Sequence, residues 1–442
     1  MYGGRALRYI LRVNTIRRLL VFSLGTVLFL TSSLSAEESE SARVPPPDEV
    51  CASADSGPPK ITEIRFQGLK RTKPTVLRRA MDAGPGVPYT EEVREEIRRD
   101  LRRLGLFDRV EVEPEPSAVT GDRAVVQVVV RERWTLVPIP FFTTTSGGTS
   151  GGLFVIENNL LGYNKQLITG GAYGSAGFNG LLVYSDPAIL GSSYLGAVSV
   201  SLGRSEEEAV SLKEETLADW EADYSRGRFR FGYRFGDSLT TTTFLAAQQE
   251  RFKSGRLAPG ADETEAAVYH GASVSYSDQN PLRYFNAGYA LEIEGEYELG
   301  GGSEREWSLA AQFSQDFLLF QDHRLRYALR AEESDRAYWR TTRLGGMETQ
   351  RTIDRGSVPA ERYVSGGLTY EFPVFRPDWG TFTLLGFYEG GALLEADEQY
   401  HGPGAGFRLY VSRVTLPALG FDLAYRGTED IWLFSFSIGM SM

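Results

Sequence analysis

From Trp134 onward, apolar and polar positions alternate with a period of two for the remaining 309 residues. Phe229, Phe231, Tyr233 and Phe235 share one face of an extended segment, and Arg228, Arg230 and Arg234 share the other. Tyr289, Leu291, Ile293 and Tyr297 likewise alternate with Glu292, Glu294, Glu296 and Glu298, and Leu325, Tyr327 and Leu329 with Arg324, Arg326 and Arg330. Near the end, Trp432, Phe434, Phe436 and Ile438 oppose Ser435, Ser437 and Gly439. A soluble sandwich also alternates, but it gives no reason for Tyr and Phe at strand ends throughout. A closed barrel in lipid does, because it leaves no unpaired edge and turns apolar residues outward and charges inward. At roughly 19 residues per strand and turn, the stretch predicts about 16 antiparallel strands. Glu206 to Glu215 reads as either a strand or a turn, so the eye counts about 15 or 16.

Upstream the periodicity differs. Ile61 to Phe66 alternates as a strand that Gly68 ends. Pro74 opens a helix with Val76, Leu77, Ala80 and Met81 on one face, and Thr90 caps a second whose Val93, Ile97, Leu101 and Leu104 recur at helical spacing. Strands at Phe107 to Val112 and Ala124 to Val130 complete a small α+β domain with its helices on one sheet face. Before it, residues 37–57 are rich in Glu, Ser and Pro and read as a flexible linker. Residues 1–36 carry five arginines, no acid and the apolar run Leu19 to Leu30, and they read as a signal peptide cleaved after Ala36.

Composition narrows the partners. With 48 Gly in 442 residues and 42% hydrophobic content, the chain is too apolar to be disordered. Removing the five leader arginines leaves 42 basic against 58 acidic residues, which argues against nucleic acid. Cys51 is the one cysteine, so no intramolecular disulfide or cysteine-based metal site is expected. His270, His323 and His401 have no nucleophile motif nearby, and Gly402-Pro-Gly-Ala-Gly406 lacks the Lys and Ser/Thr of a phosphate loop. Those glycines fit a crowded lumen or a strand bend, and an enzyme is not expected.

On two sets of residues the chain resembles the bacterial surface antigen family, the outer-membrane assembly and translocation proteins represented by BamA and TamA. Ile64-Arg-Phe-Gln-Gly68, the second helix, and Leu104-Gly-Leu-Phe107 with Val110 resemble a polypeptide-transport-associated (POTRA) domain. Gln350-Arg-Thr-Ile353, within a long segment between two late strands, is similar to the family's lumenal Val-Arg-Gly-Phe/Tyr tetrad, with Thr352 in place of Gly and Ile353 in place of the aromatic residue. Phe387-Tyr-Glu-Gly-Gly391 is similar to the Phe-x-Asp-x-Gly strand motif, with Glu389 in place of Asp. Alternation puts Phe387, Glu389 and Gly391 on one face.

The resemblance implies a POTRA domain at 58–133 and a transmembrane antiparallel β-barrel at 134–442, resident in the bacterial outer membrane with the POTRA domain in the periplasm. It implies assembly, insertion or translocation by strand addition at a lateral seam. The partners implied are unfolded outer-membrane or secreted clients, outer-membrane lipid and periplasmic accessory proteins; no cofactor is implied. Arg351 and Glu389 are expected to pin the loop in the lumen. The Glu292–Glu298 and Arg324–Arg330 rows are expected to neutralise one another rather than form an ion filter. The last strand, from Ile431, turns Trp432, Phe434, Phe436, Ile438, Met440 and Met442 outward. It is expected to meet the Gly151 to Ile156 strand, which puts Leu153 and Phe154 across an incompletely zipped seam from Phe434, Phe436 and Ile438. The rival readings are a passive pore and a surface antigen or adhesin.

Overall fold

A computed structural model describes residues 58–439 except 116–122, 147, 257–262, 302–304, 347–348, 355 and 412–416. The expected leader, the linker with Cys51, and Met440 and Met442 lie outside the described residues. The front domain has strands β1 (Lys60–Gln67), β2 (Phe107–Pro114) and β3 (Arg123–Glu132) and helices α1 (Pro74–Ala80) and α2 (Glu91–Arg103). The sheet order is β1-β3-β2, with β1 parallel and β2 antiparallel to β3. Leu77, Ile97 and Leu101 of the helices pack with Val112, Val126 and Val128 of the sheet, all fully buried. Each such side chain contributes about 1.5–3 kcal/mol of burial energy.

Local chemistry sets the ends of α2. The Thr90 hydroxyl accepts the Val93 N–H at 3.3 Å, Glu91 and Glu92 occupy the first turn, and Arg102 and Arg103 the last. Thr72, just before α1, is buried and docks the domain: its hydroxyl accepts from the Asn159 amide at 2.8 Å, and the Lys73 N–H donates to the Gly162 carbonyl at 2.9 Å.

The barrel begins with β4 (Leu136–Thr145), β5 (Gly148–Leu160), β6 (Lys165–Gly174), β7 (Gly177–Asp186), β8 (Tyr194–Val210) and β9 (Thr216–Phe235). It continues through β10 (Leu239–Arg256), β11 (Thr264–Pro281), β12 (Asn286–Gly300), β13 (Trp307–Leu319) and β14 (His323–Asp335). After a loop containing the short strands β15 (Thr342–Leu344) and β16 (Val358–Ala360) come β17 (Arg362–Phe375), β18 (Gly380–Leu393), β19 (Glu398–Val411), β20 (Pro417–Arg426) and β21 (Ile431–Ile438). Leaving out β15 and β16, these are 16 strands, and β21 closes the cylinder against β4. The ambiguous segment divides: Glu206 to Val210 ends β8, and the turn before Thr216 follows.

Every neighbouring pair in the barrel is antiparallel, so side chains alternate between lumen and exterior. On β18, Thr383, Leu385, Phe387 and Glu389 are buried, while Leu384 and Tyr388 are exposed. The crowded-lumen reading of the 402–406 glycines holds at Gly404, where a Cβ would overlap the Phe387 ring.

One expectation is corrected. The strand facing β21 is β4; the Gly151 to Ile156 segment belongs to β5, the second barrel strand. Leu153 and Phe154 therefore do not line the seam. Leu153 points outward, and Phe154 is fully buried against Phe141, ring centroids 5.4 Å apart. Pro138 and Pro140 argue against a strand in a pattern reading, yet both lie outside the Phe142–Thr145 stretch described as pairing with β21.

Candidate functional site in the lumen and at the seam

The β14–β17 loop folds back into the barrel and is held on two walls. At its far end, the Arg351 Nε donates to Glu389 Oε2 on β18 at 3.3 Å, and its Nη2 donates to Thr369 on β17 at 2.9 Å. Asp422 on β20 lies 3.9 Å away, and the guanidinium sits 3.5 Å from the Phe387 ring centroid. A planar fork can meet three strands and stack on a ring at once, whereas a point ammonium cannot. Glu389 is fully buried, so the lumen here is a low-dielectric site in which an unpaired carboxylate is costly. Gly391 lies on the same strand against Tyr400 and the Val364 carbonyl, with no room for a Cβ.

The residues that depart from the family tetrad are also packed. Thr352 is fully buried, and Ile353 joins Leu344, Val358, Tyr363, Leu393 and Tyr400 in an apolar cluster. The sharp turn falls instead on Gly345, at φ +123°, where a Cβ would strike the Asp354 carbonyl. A further anchor, Arg426, comes from β20: it donates to the Thr352 carbonyl at 3.4 Å, to the Leu212 carbonyl at 2.8 Å and to Glu214 at 2.7 Å.

The near end of the loop is tied to the opposite side. Arg336 pairs with Glu296 on β12, and Arg340 pairs at 3.3 Å with Glu306, which also accepts the Tyr269 hydroxyl of β11 at 2.6 Å. Arg343 stacks 4.6 Å from the Trp220 ring of β9 and pairs with Glu207 of β8 at 3.7 Å. Tyr338 and Trp339 pack beside Trp220 and Phe252. Sequence reasoning missed Arg336, Arg340, Arg343 and Arg426. Three cations within eight residues, flanking Tyr338-Trp339 in a segment with no strand alternation, were a usable signal.

The two charge rows lie on β12 and β14, one strand apart, but find other partners. Glu294 and Glu296 pair with Arg228 and Arg230 of β9 at 2.9–3.4 Å, whereas Arg324 pairs with Asp316 at 2.5 Å and Glu371 at 3.3 Å. Asp316 and Glu371 come from the two strands that flank β14, and Arg228 and Arg230 from β9, three strands along the wall from β12. The histidines bond hydroxyls on neighbouring strands: His270 to Thr243, His323 to Tyr370 and His401 to Tyr388.

The seam is short. Among the described residues, β21 and β4 share four residue pairs, Ser435–Ile438 against Thr145–Phe142, while the other barrel junctions share between seven and 17. Phe434 extends this edge by donating its N–H to the Ser146 hydroxyl at 3.3 Å. Trp432, Phe434 and Ile438 are exposed on the outer face, and Phe436 is half-buried.

Comparison with known proteins agrees with this architecture. Residues 59–133 match the POTRA family, described as "Surface antigen variable number repeat". The chain is 28% identical over 158 residues to outer membrane protein assembly factor BamA of Neorickettsia risticii (strain Illinois), covering 35% of this chain and 21% of that protein. It is 26% identical over 144 residues to BamA of Neisseria meningitidis serogroup B, covering 32% and 17%. The matched stretch thus spans about a fifth of these curated relatives. Among solved structures, CdiB from Escherichia coli superposes with a TM-score of 0.62 at 14% identity, covering 86% of this chain and 76% of that one. BamA from Haemophilus ducreyi lacking POTRA domains 1–3 gives 0.59 at 16% identity, covering 86% and 84%. The structural likeness speaks for the fold alone. A domain matching the POTRA model thus leads into a 16-strand closed antiparallel barrel, and the chain is similar over part of its length to the outer membrane protein assembly factor BamA.

Proposed function

We propose that the protein inserts or translocates outer-membrane or secreted client polypeptides, with the POTRA domain in the periplasm and client strands adding at the β21–β4 seam. The observation that carries this reading is the four-pair junction, the shortest closure in the barrel among the described residues. A junction with few ladder hydrogen bonds is the one whose opening costs least, and an opened edge offers unpaired N–H and C=O groups to an extended chain. The braced loop supports the same reading over a passive pore, because it places buried arginine–carboxylate pairs across the lumen. No chemical step is needed.

A disulfide across the seam tests the proposal. Ser437 faces Thr143 in the ladder, so Ser437→Cys with Thr143→Cys in a Cys51→Ser background can be oxidised in cells. The locked barrel is expected to keep its heat-modifiable gel mobility while outer-membrane client levels fall, and reductant is expected to restore them. Undiminished client assembly by the locked form would overturn the proposal.

A further inference from the structure

The turn between β11 and β12 does not stay in the wall. β4 follows directly on the POTRA domain and every neighbouring barrel pair is antiparallel, so the turns after β11, β13 and β17 and the last residues of β19 all lie at the POTRA end of the cylinder. Tyr284 and Phe285 of the first of these turns are buried with Tyr410 of β19, and the Tyr284 and Tyr410 ring centroids are 5.2 Å apart. Between β12 and β19 the wall holds β13, β14, β17 and β18, so the two strands stand about 24 Å apart along it at the usual strand spacing. Their rings meet only because the turn bends inward and crosses part of the mouth.

Side chains of the neighbouring turns hold it there. The Tyr284 hydroxyl donates to the Asp322 carbonyl in the β13–β14 turn at 2.6 Å, and the Asp322 carboxylate pairs with Arg376 in the β17–β18 turn. Arg283 donates to the Pro377 carbonyl at 3.5 Å. Below the rings, Arg324 lies 5.6 Å from the Phe285 ring centroid and pairs with Glu371, which accepts the Tyr410 hydroxyl at 3.0 Å. Three residues after Phe285, Gly288 sits at φ +125°, where a Cβ would strike the Asp278 carbonyl. That conformation is open to glycine at little cost and lets β12 leave the line of the wall.

The POTRA domain reaches a different part of the same rim, through Thr72 with Asn159 at the end of β5 and Arg103 with Asp237 in the turn after β9. Further inside, a cavity of about 470 Å³ lies along β11 to β14, bounded by Ser277, Ser314 and Arg326 of the wall and by Thr349 of the β14–β17 loop. Arg326 shares Asp316 with Arg324, so the cavity adjoins the cluster that carries the inward turn.

We infer that residues 282–285 form a stopper, a closure of the POTRA-side mouth built from the barrel itself and placed in series with the β14–β17 loop. The two close the cavity from opposite ends. Tyr284 and Phe285 are its seal, Asp322, Arg324 and Tyr410 its seat, and Gly288 its hinge. The turn must swing out before a solute or chain segment can pass from the POTRA side into the lumen, and this holds whether or not clients add at the seam.

The test uses the full chain in lipid nanodiscs, in a Cys51→Ser background, with a small membrane-impermeant maleimide. Ser314→Cys reports on the cavity, and Arg283→Cys, at an exposed position of the turn itself, reports on the outer side of the stopper. With Tyr284 and Phe285 in place, Ser314→Cys is expected to react about tenfold more slowly than Arg283→Cys, as a closure open for a tenth of the time gives. Tyr284→Ala with Phe285→Ala removes the seal and is expected to abolish most of that difference while heat-modifiable gel mobility is kept. Equal rates at the two cysteines with the stopper unaltered would overturn the inference, and that comparison does not require the double variant to fold. Planar-bilayer conductance gives an independent reading. Of two constrictions in series, either one limits flow alone, so Tyr284→Ala with Phe285→Ala added to Arg351→Ala is expected to raise conductance by more than the two changes made separately. A combined variant no more conductive than Arg351→Ala alone would likewise overturn the stopper.

Discussion

Single residues carry most of the chemistry that positions the lumenal loop. Arg351→Ala leaves Glu389 buried without its cation, a change that typically costs about 3–5 kcal/mol. It is expected to expose the loop to protease and raise ion conductance in planar bilayers. Arg351→Lys is expected to recover only part of the protection, because an ammonium cannot bond Thr369 and Glu389 while lying flat on Phe387. If both variants match wild type in conductance and protease protection, Arg351 does not pin the loop. A second residue, Glu132, works in the POTRA domain. Burial alone pushes its carboxyl up, but hydrogen bonds from Thr72, Arg71 and Lys70 outweigh burial and hold it below the ordinary glutamate range. A depressed folded-state pKa means that its stabilisation is fully present above the unfolded value of about 4.3 and is lost as pH falls through the lower folded value. Hydrogen exchange at the Arg71 and Thr72 amides is therefore expected to lose protection on that acid side in wild type and to show no such step in Glu132→Gln. An identical pH profile in the two proteins would remove Glu132 as the clamp.

At the scale of elements, the β14–β17 loop behaves as a strap with two fastenings, Arg336 to Arg343 on the β8–β12 wall and Arg351 on the β17–β20 wall. Removing one fastening leaves the other engaged, so Arg340→Ala alone is expected to change conductance modestly. Arg340→Ala with Arg351→Ala is expected to raise it by more than the two single changes together. Strictly additive effects would mean that the strap does not act as one body. The strands and helices themselves were largely readable: the Ile61 to Phe66 alternation, the Val93-Ile97-Leu101-Leu104 face and the β9, β12 and β14 stripes all appear as expected. The pairing of Arg351 with Glu389 was reachable only through the two motifs that resemble the family's. The Arg340 fastening was not, because no motif marks Glu250, Tyr269 or Glu306, and they converge only when the cylinder closes. Misplacing Leu153 and Phe154 at the seam has a similar origin, since two prolines disguise the first barrel strand and only its neighbours reveal it as an edge.

For the whole molecule, the question is how far the POTRA domain and the barrel depend on each other. The domain has its own core, and it also meets the barrel through Thr72 with Asn159, Arg71 with Glu157 at 3.2 Å and Arg103 with Asp237. Two of these contacts are ion pairs with exposed arginines, which add little to stability. Deleting residues 58–133 is therefore expected to leave a barrel that folds and shows heat-modifiable mobility, while client levels fall. A barrel that no longer folds would show that these contacts hold the two parts together as one folding unit.

What the sequence by itself determined is the division into a helical-period front and a period-two barrel, the outward apolar stripe, and the inward charges. These follow from local periodicity and from the demand of lipid that every backbone group be paired. The tertiary structure decided the partners. It set which carboxylate meets which arginine and placed Gly345 rather than Thr352 at the sharp turn. It also showed that the segment carrying two prolines is the first barrel strand. Periodicity along a chain specifies the face a residue presents, while closure of the barrel brings strands many residues apart into register and so selects the group that answers it.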